Sequence, residues 1–140
     1  MPRAARHVTD YLKQHDLDDV VIVAHSKGGL VGKQVMADAA AGGRIRGMVA
    51  VASPFAGSVY GRLMLVPSLR AFSPSAPGIL ALAREVSPNP RIVSVYGDFD
   101  PHIPGGSELD GARNVRLETG GHFRILAHPR VIAEVVRLAG

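Results

Sequence analysis

At 140 residues, 46% hydrophobic and 20% charged, the chain has the size and make-up of one globular domain rather than a disordered segment. It contains no cysteine, which excludes disulfides, thiolate nucleophiles and Cys-ligated metals. Sixteen Lys and Arg against twelve Asp and Glu give a net charge of +4, but the arginines stand singly (Arg44, Arg62, Arg91, Arg116, Arg137). No basic run is interleaved with aromatics to track a phosphate backbone, so nucleic acid is not an expected partner.

In chain order, Ala4–His15 carries Val8, Tyr11 and Leu12 at helical spacing and predicts an amphipathic helix. Val20–Ala24 is a continuous β-branched run without polar alternation, the pattern of a strand buried on both faces of a parallel sheet. Leu30–Ala40 reads as a helix with Val31, Val35 and Met36 on one side and Gly42-Gly43 as its stop. Met48–Ala52 predicts a second buried strand, Arg91–Tyr96 a third and Val115–Glu118 a shorter fourth. Pro129 suits the first position of a last helix, Val131–Leu138.

Strands alternating with helices imply right-handed crossovers, hence an α/β fold: a parallel sheet flanked by helices, as a single domain over residues 1–140. Between the second and third strands runs a segment rich in Pro, Gly and Ser but also in Leu and Ala. It is too apolar for a solvated linker and too long for an ordinary connection. Residues 55–88 are therefore expected to form a lid-like insertion over the carboxyl end of the sheet. Its apolar side chains (Leu63, Met64, Leu65, Val66, Leu69, Phe72) suit either ordinary core or an acyl-chain pocket.

No apolar run approaches the roughly 18 residues of a membrane span. Leu63–Leu69 is short and broken by Pro67, and Met1–Arg6 lacks the apolar core of a secretory signal. A cytoplasmic location is the resulting expectation.

The chemistry centres on Val21-Ile22-Val23-Ala24-His25-Ser26-Lys27-Gly28-Gly29-Leu30. A buried strand runs into Ser26, then glycines, then a helix. A serine there sits on a sharp strand-to-helix turn with its hydroxyl projecting from the sheet's edge. Ala24 and Gly28 supply the small neighbours that such close strand and helix backbones need. The helix start places the Lys27 N–H where a developing oxyanion would sit.

A serine hydroxyl needs a base, and the base needs an orienting group. Tyr96-Gly97-Asp98-Phe99-Asp100-Pro101-His102-Ile103-Pro104 follows the third strand, and Thr119-Gly120-Gly121-His122-Phe123 follows the fourth. Both lie past carboxyl ends of strands, where open parallel sheets build their sites.

These segments resemble the α/β-hydrolase superfamily in its lipase- and esterase-like branch. Ala24-His25-Ser26-Lys27-Gly28 resembles the nucleophile elbow G-x-S-x-G with Ala24 for the first glycine. Asp100–Pro104 resembles D-x-x-V-P with Ile103 for Val, and Gly121-His122 the G-H of the catalytic histidine loop. Ala52-Ser53-Pro54-Phe55-Ala56-Gly57-Ser58 resembles a T-P-x-x-G-S segment of bacterial lipases, with Ser53 for Thr. The likeness runs from about residue 5 to the C-terminus, and its chain order of Ser, acid, His is the superfamily's.

The resemblance implies a serine hydrolase of a lipid or other acyl ester, working through an acyl-enzyme without cofactor or metal. Ser26 is its nucleophile, His122 its base, and Lys27 N–H an oxyanion donor. Two acids compete to orient His122. Asp98 follows the strand sooner, whereas Asp100 fits the D-x-x-V-P register and is preferred; the other would cap the loop. An acyltransferase would use the same triad.

Competing readings of single residues are weaker in this context. Ser26 alone could be a helix N-cap, and His122 a plain loop histidine. His25 reads as a packing and hydrogen-bonding residue, and His7, His15 and His128 as surface or capping residues. His102 beside Asp98 and Asp100 raises a metal cluster, but no second histidine stands at metal-binding spacing, so no metal is expected. Gly28–Lys33 fails as a phosphate loop, because Lys27 and Gln34 occupy positions that need Gly and Ser or Thr.

Nothing in Met1–Asp19 matches the His-Gly loop that in the superfamily gives a second oxyanion N–H. Val20–Ala24 is then expected to be an exposed apolar edge. A longer protein, a degenerate fragment, or an oligomer or partner covering the edge would each account for it. In the last case the chain could be a non-catalytic binding module.

Overall fold

A computed structural model describes residues 2–56 and 77–140. Four strands, β1 (Val20–His25), β2 (Ile45–Val51), β3 (Ile92–Phe99) and β4 (Arg113–Gly120), form one sheet in the order β1-β2-β3-β4. All three pairings are parallel. Helices α1 (Pro2–Gln14), α2 (Lys27–Ala37), α3 (Pro77–Arg84) and α4 (Pro129–Ala139) accompany them. The α/β architecture expected from the strand–helix alternation is the one observed.

Side chains of a strand alternate between faces, and β2 shows why its run can still be wholly apolar. Met48 and Ala50 enter one core with Leu30, Val35 and Met36 of α2, Ala5 and Leu12 of α1, and Ile79 and Leu82 of α3. Val49 and Val51 enter a second core with Val93 and Val95 of β3, Val115 and Leu117 of β4, and Val131 of α4. Each of the larger buried side chains, Val, Leu, Ile or Met, contributes roughly 1.5–3 kcal/mol. Together the two layers hold the carboxyl ends of β1, β3 and β4 in fixed relation.

Several elements depart from expectation for identifiable reasons. The buried stripe of α1 is Ala5, Thr9 and Leu12, while Val8 and Tyr11 face outward. The helix lies against α2, which turns its stripe away from the edge of the sheet. α2 starts at Lys27, three residues earlier than its apolar periodicity suggests, because the turn at Ser26 feeds directly into it. It stops at Ala37, short of the glycines, where the Asp38 carboxylate accepts the Ala40 N–H at 2.8 Å. Such a short acid offers the backbone an alternative to the helical ladder. β1 is not buried on both faces: among the described residues it pairs only with β2, and Val23 is 57% exposed. The expected apolar edge is therefore present among the described residues.

Of the segment expected to form a lid, residues 57–76, including Leu63, Met64, Leu65, Val66, Leu69 and Phe72, lie outside the described residues. Its later part includes α3, whose Ile79 and Leu82 join the core beside α2. Among the described residues no helix is long and apolar enough to cross a membrane.

At α4, Pro129 stands in the first turn and the His128 side chain accepts the Arg130 N–H, so His128 caps the helix. The buried Glu134 carboxylate of α4 accepts from Arg113 of β4 at 3.1 Å and from Arg137 at 2.9 Å. The hydrogen bond from Arg113, ahead of burial, holds the Glu134 carboxyl below its ordinary range. Beneath α2, Lys33 is almost wholly buried, and burial pushes its amine below the ordinary lysine range despite Glu85 nearby. That setting is a helix interior, consistent with rejecting Gly28–Lys33 as a phosphate loop.

Candidate active site

Ser26 follows the last residue of β1 and has φ 54°, ψ −128°. A non-glycine residue at positive φ outside the left-handed well costs on the order of 1–3 kcal/mol and persists only where its surroundings enforce it. Two bonds do so. Ser26 N–H donates to Val51 O at 2.9 Å, extending the β1–β2 ladder by one residue, and Gly29 N–H donates to Ser26 O at 3.1 Å, closing the first helical turn. The Ser26 side chain makes no capping hydrogen bond to α2. That removes the geometry on which an N-cap role would depend.

The close approach of helix to sheet is real but falls one residue later than expected. A Cβ at Gly28 would meet Ala24 Cβ at 3.6 Å, an ordinary contact. A Cβ at Gly29 would instead collide with the buried Ser53 side chain, and one at Gly32 with Met48. The crowding lies where α2 crosses β2 and its carboxyl end. Ala52, just before Ser53, is also at positive φ, 47°.

Asp100 lies one residue past β3, and His122 two past β4. Gly121, at φ 102°, turns the chain into His122 and donates its N–H to Phe99 O at 2.9 Å, tying the two loops together. Both side chains are enclosed: His122 is 6% exposed and Asp100 12%. His122 Nδ1 lies 2.7 Å from Asp100 Oδ2. A carboxylate only accepts, so Nδ1–H is the donor, and in the neutral ring the lone pair then lies on Nε2. Asp100 Oδ1 accepts the His102 N–H at 2.9 Å, so the loop-capping role expected of the second acid is filled by Asp100 itself. Asp98 is not a loop cap. Its exposed carboxylate pairs instead with Arg116 of β4.

His25 joins the serine turn to the histidine loop. Its Nε2 lies 2.9 Å from His122 O, and since a carbonyl only accepts, Nε2–H is the donor. Its ring packs at 4.6 Å from that of His122 and 5.5 Å from Phe123. Sequence reading identified His25 as a hydrogen-bonding residue but not its partner. The adjacency of His25 to Ser26 was the available signal. Lys27, first residue of α2, places its N–H at the positive end of the helix dipole.

The structure also gathers Asp100, His102 and His122, each offering one ligand atom within 4.8 Å of the others. Local spacing could not reveal this, because His122 arrives from the next strand. Two open spaces flank the site. A cavity of about 320 Å³ is lined by Tyr96, Asp98, Asp100, Ile103 and Ser107 among others. A groove of about 490 Å³ runs along β1 and α2, lined by Val8, Ile22, Val23, Val31 and Val35, and reaches His25 and Lys27.

No protein-family model matches the chain, and no curated protein does. Solved structures are similar to it. The Bacillus licheniformis lipase BlEst2 superposes with a TM-score of 0.69 at 14% identity, over 96% of this chain and 71% of that one. A Paleococcus ferrophilus monoacylglycerol lipase gives 0.66 at 14%, covering 97% and 74%. An extracellular alpha/beta-hydrolase from a Paenibacillus species gives 0.58 at 19%, covering 97% and 78%. At such identities the likeness concerns architecture: the four-stranded parallel sheet with its helices is α/β-hydrolase-like.

Proposed function

We propose that the chain is a serine hydrolase that cleaves a carboxylic ester, of a lipid or another acyl group, through an acyl-enzyme. The observation that carries this reading is the 2.7 Å bond between His122 Nδ1 and Asp100 Oδ2, the orientation a general base needs; the strained turn at Ser26 supports it. Ser26 Oγ attacks the ester carbonyl carbon while His122 Nε2 takes its proton. The oxyanion of the tetrahedral intermediate accepts a hydrogen bond from Lys27 N–H, reinforced by the dipole of α2. The bond to the alkoxide breaks, and His122 returns the proton to the leaving alcohol. Water then attacks acyl-Ser26 by the same route, His122 again acting as base, and releases the acid. Asp100 keeps His122 in the productive tautomer throughout. Where water is excluded from the acyl-enzyme, a second alcohol would accept the acyl group instead, with identical residues.

The exposure of Val23 and the apolar groove along β1 favour a second reading, a binding module that engages a partner through this edge. The two separate cleanly. Turnover of p-nitrophenyl esters of graded acyl length is expected for the purified chain and is expected to vanish in Ser26→Ala and His122→Ala. Hydrolysis indifferent to both substitutions would end the enzymatic reading. Retention of a partner that is lost on Val23→Lys would then support the binding module.

A further inference from the structure

We infer that Asp100, His102 and His122 form a site for a zinc-like divalent cation, and that its occupancy switches the hydrolytic site off. The inhibitory half rests on His122 being the base; the binding half does not.

The donor set is one carboxylate and two imidazoles, each with a ligand atom within 4.8 Å of the others. Donors of a tetrahedral zinc, at about 2.0–2.2 Å from the metal, stand roughly 3.4 Å apart. His102 Nδ1 already lies 3.7 Å from Asp100 Oδ1, and His122 Nδ1 lies 2.7 Å from Oδ2. The rings of His102 and His122 are 4.8 Å apart, tilted by 33°. Ligation would also open the His122–Asp100 pair from 2.7 Å toward the tetrahedral spacing, while His102, its side chain 61% exposed, closes from 3.7 Å. Three protein ligands leave a fourth position for water, and nitrogen donors select zinc, copper or nickel over magnesium or calcium. The ring of His122 is supported from behind through its carbonyl, which accepts from His25.

Ligation silences His122 by either nitrogen. Coordination through Nε2 occupies the lone pair that would take the Ser26 proton. Coordination through Nδ1 displaces the bond to Asp100 and leaves the single ring proton on Nε2, which then cannot accept another. The bond from His102 N–H to Asp100 Oδ1 is a backbone bond that alanine keeps, so His102→Ala removes the imidazole ligand and is compared with its own zinc-free rate.

Zinc titrated calorimetrically into the full chain tests this, paired with fluorophosphonate labelling of Ser26. The wild-type chain is expected to bind one zinc, and His102→Ala to bind it at least tenfold more weakly, about the loss seen on deleting supporting groups of metal sites. Saturating zinc should slow labelling at least tenfold, reversibly on chelation, and His102→Ala should label at its zinc-free rate under the same zinc concentration. Equal zinc affinity in the two chains would overturn the site. Tight binding with unchanged labelling would overturn the switch. A zinc-free chain that never labels would sink the ester-hydrolase reading instead, while the calorimetric comparison still decides whether the metal site exists.

Discussion

The two ends of the sheet are built to different rules. At the carboxyl end the chain holds Ser26 and Ala52 at positive φ, and a glycine at φ 102° delivers His122. At the amino end arginines satisfy whatever the turns leave open. Arg44 reaches Asp16, Asp18 and Leu17 O; Arg46 pairs with Asp19 and donates to Ala139 O at 2.8 Å; Arg91 donates to Gly42 O and Ile45 O. Positive φ is not confined to one end, since Asp16 at 48° and Asp19 at 58° stand just before β1; what differs is that the carboxyl end places its strained residues at the candidate site, whereas the amino end ties its turns down with arginines. The sheet between them, with a core on each face, lets strained turns persist at both ends.

Substitutions at the carboxyl end should therefore alter rate, and those at the amino end or on α4 should alter stability. The largest effect is expected for His122→Ala, a loss of about a millionfold in kcat for ester cleavage with the melting temperature nearly unchanged. Asp100→Asn should follow, at about ten-thousandfold, because the amide can support the wrong tautomer of His122. Asp98→Asn, severing only the exposed pair with Arg116, should stay within a factor of two or so of wild type. Equal losses for the two acids would break the assignment of Asp100. His25→Phe keeps the ring packing but removes the donor to His122 O. It should lower kcat by roughly tenfold, the value of about one such hydrogen bond, with KM largely unchanged.

The smallest change in rate, and the clearest change in stability, belongs to α4. Glu134→Gln should destabilise by about 1–2 kcal/mol at neutral pH while leaving kcat alone. Folding favours the charged Glu134, whose carboxyl is held below its ordinary value of 4.5. Its contribution is present above that value and is lost as pH falls through the lower folded one. The gap in melting temperature between the two chains should thus be widest near neutrality and close in acid. A gap that widened in acid would contradict the pairing.

Much of this was legible in the sequence because it depended on local pattern. Apolar runs marked the four strands, and the order of Ser26, Asp100 and His122 along the chain matched their positions past strand ends. What escaped depended on packing between segments distant in sequence. The face α1 buries is decided by α2, so Val8 and Tyr11 misled. The crowded glycine is Gly29 rather than Gly28 because of where α2 crosses β2 and its carboxyl end. The apolar run of β1 suggested burial on both faces, and only the lack of a match in Met1–Asp19 pointed to the exposed edge that Val23 occupies. Gly121-His122 and Asp100–His102 could be recognised as separate loops, whereas their meeting required the β3–β4 register and the bond from Gly121 N–H to Phe99 O.

The central claim is that the strained serine and His122 form one working unit. Its most direct test is fluorophosphonate treatment of the folded chain, followed by peptide mass spectrometry. Modification confined to Ser26, and lost in His122→Ala although Ser26 is still present, is the predicted result. A folded chain left unmodified at Ser26, or one modified equally with and without His122, would contradict it.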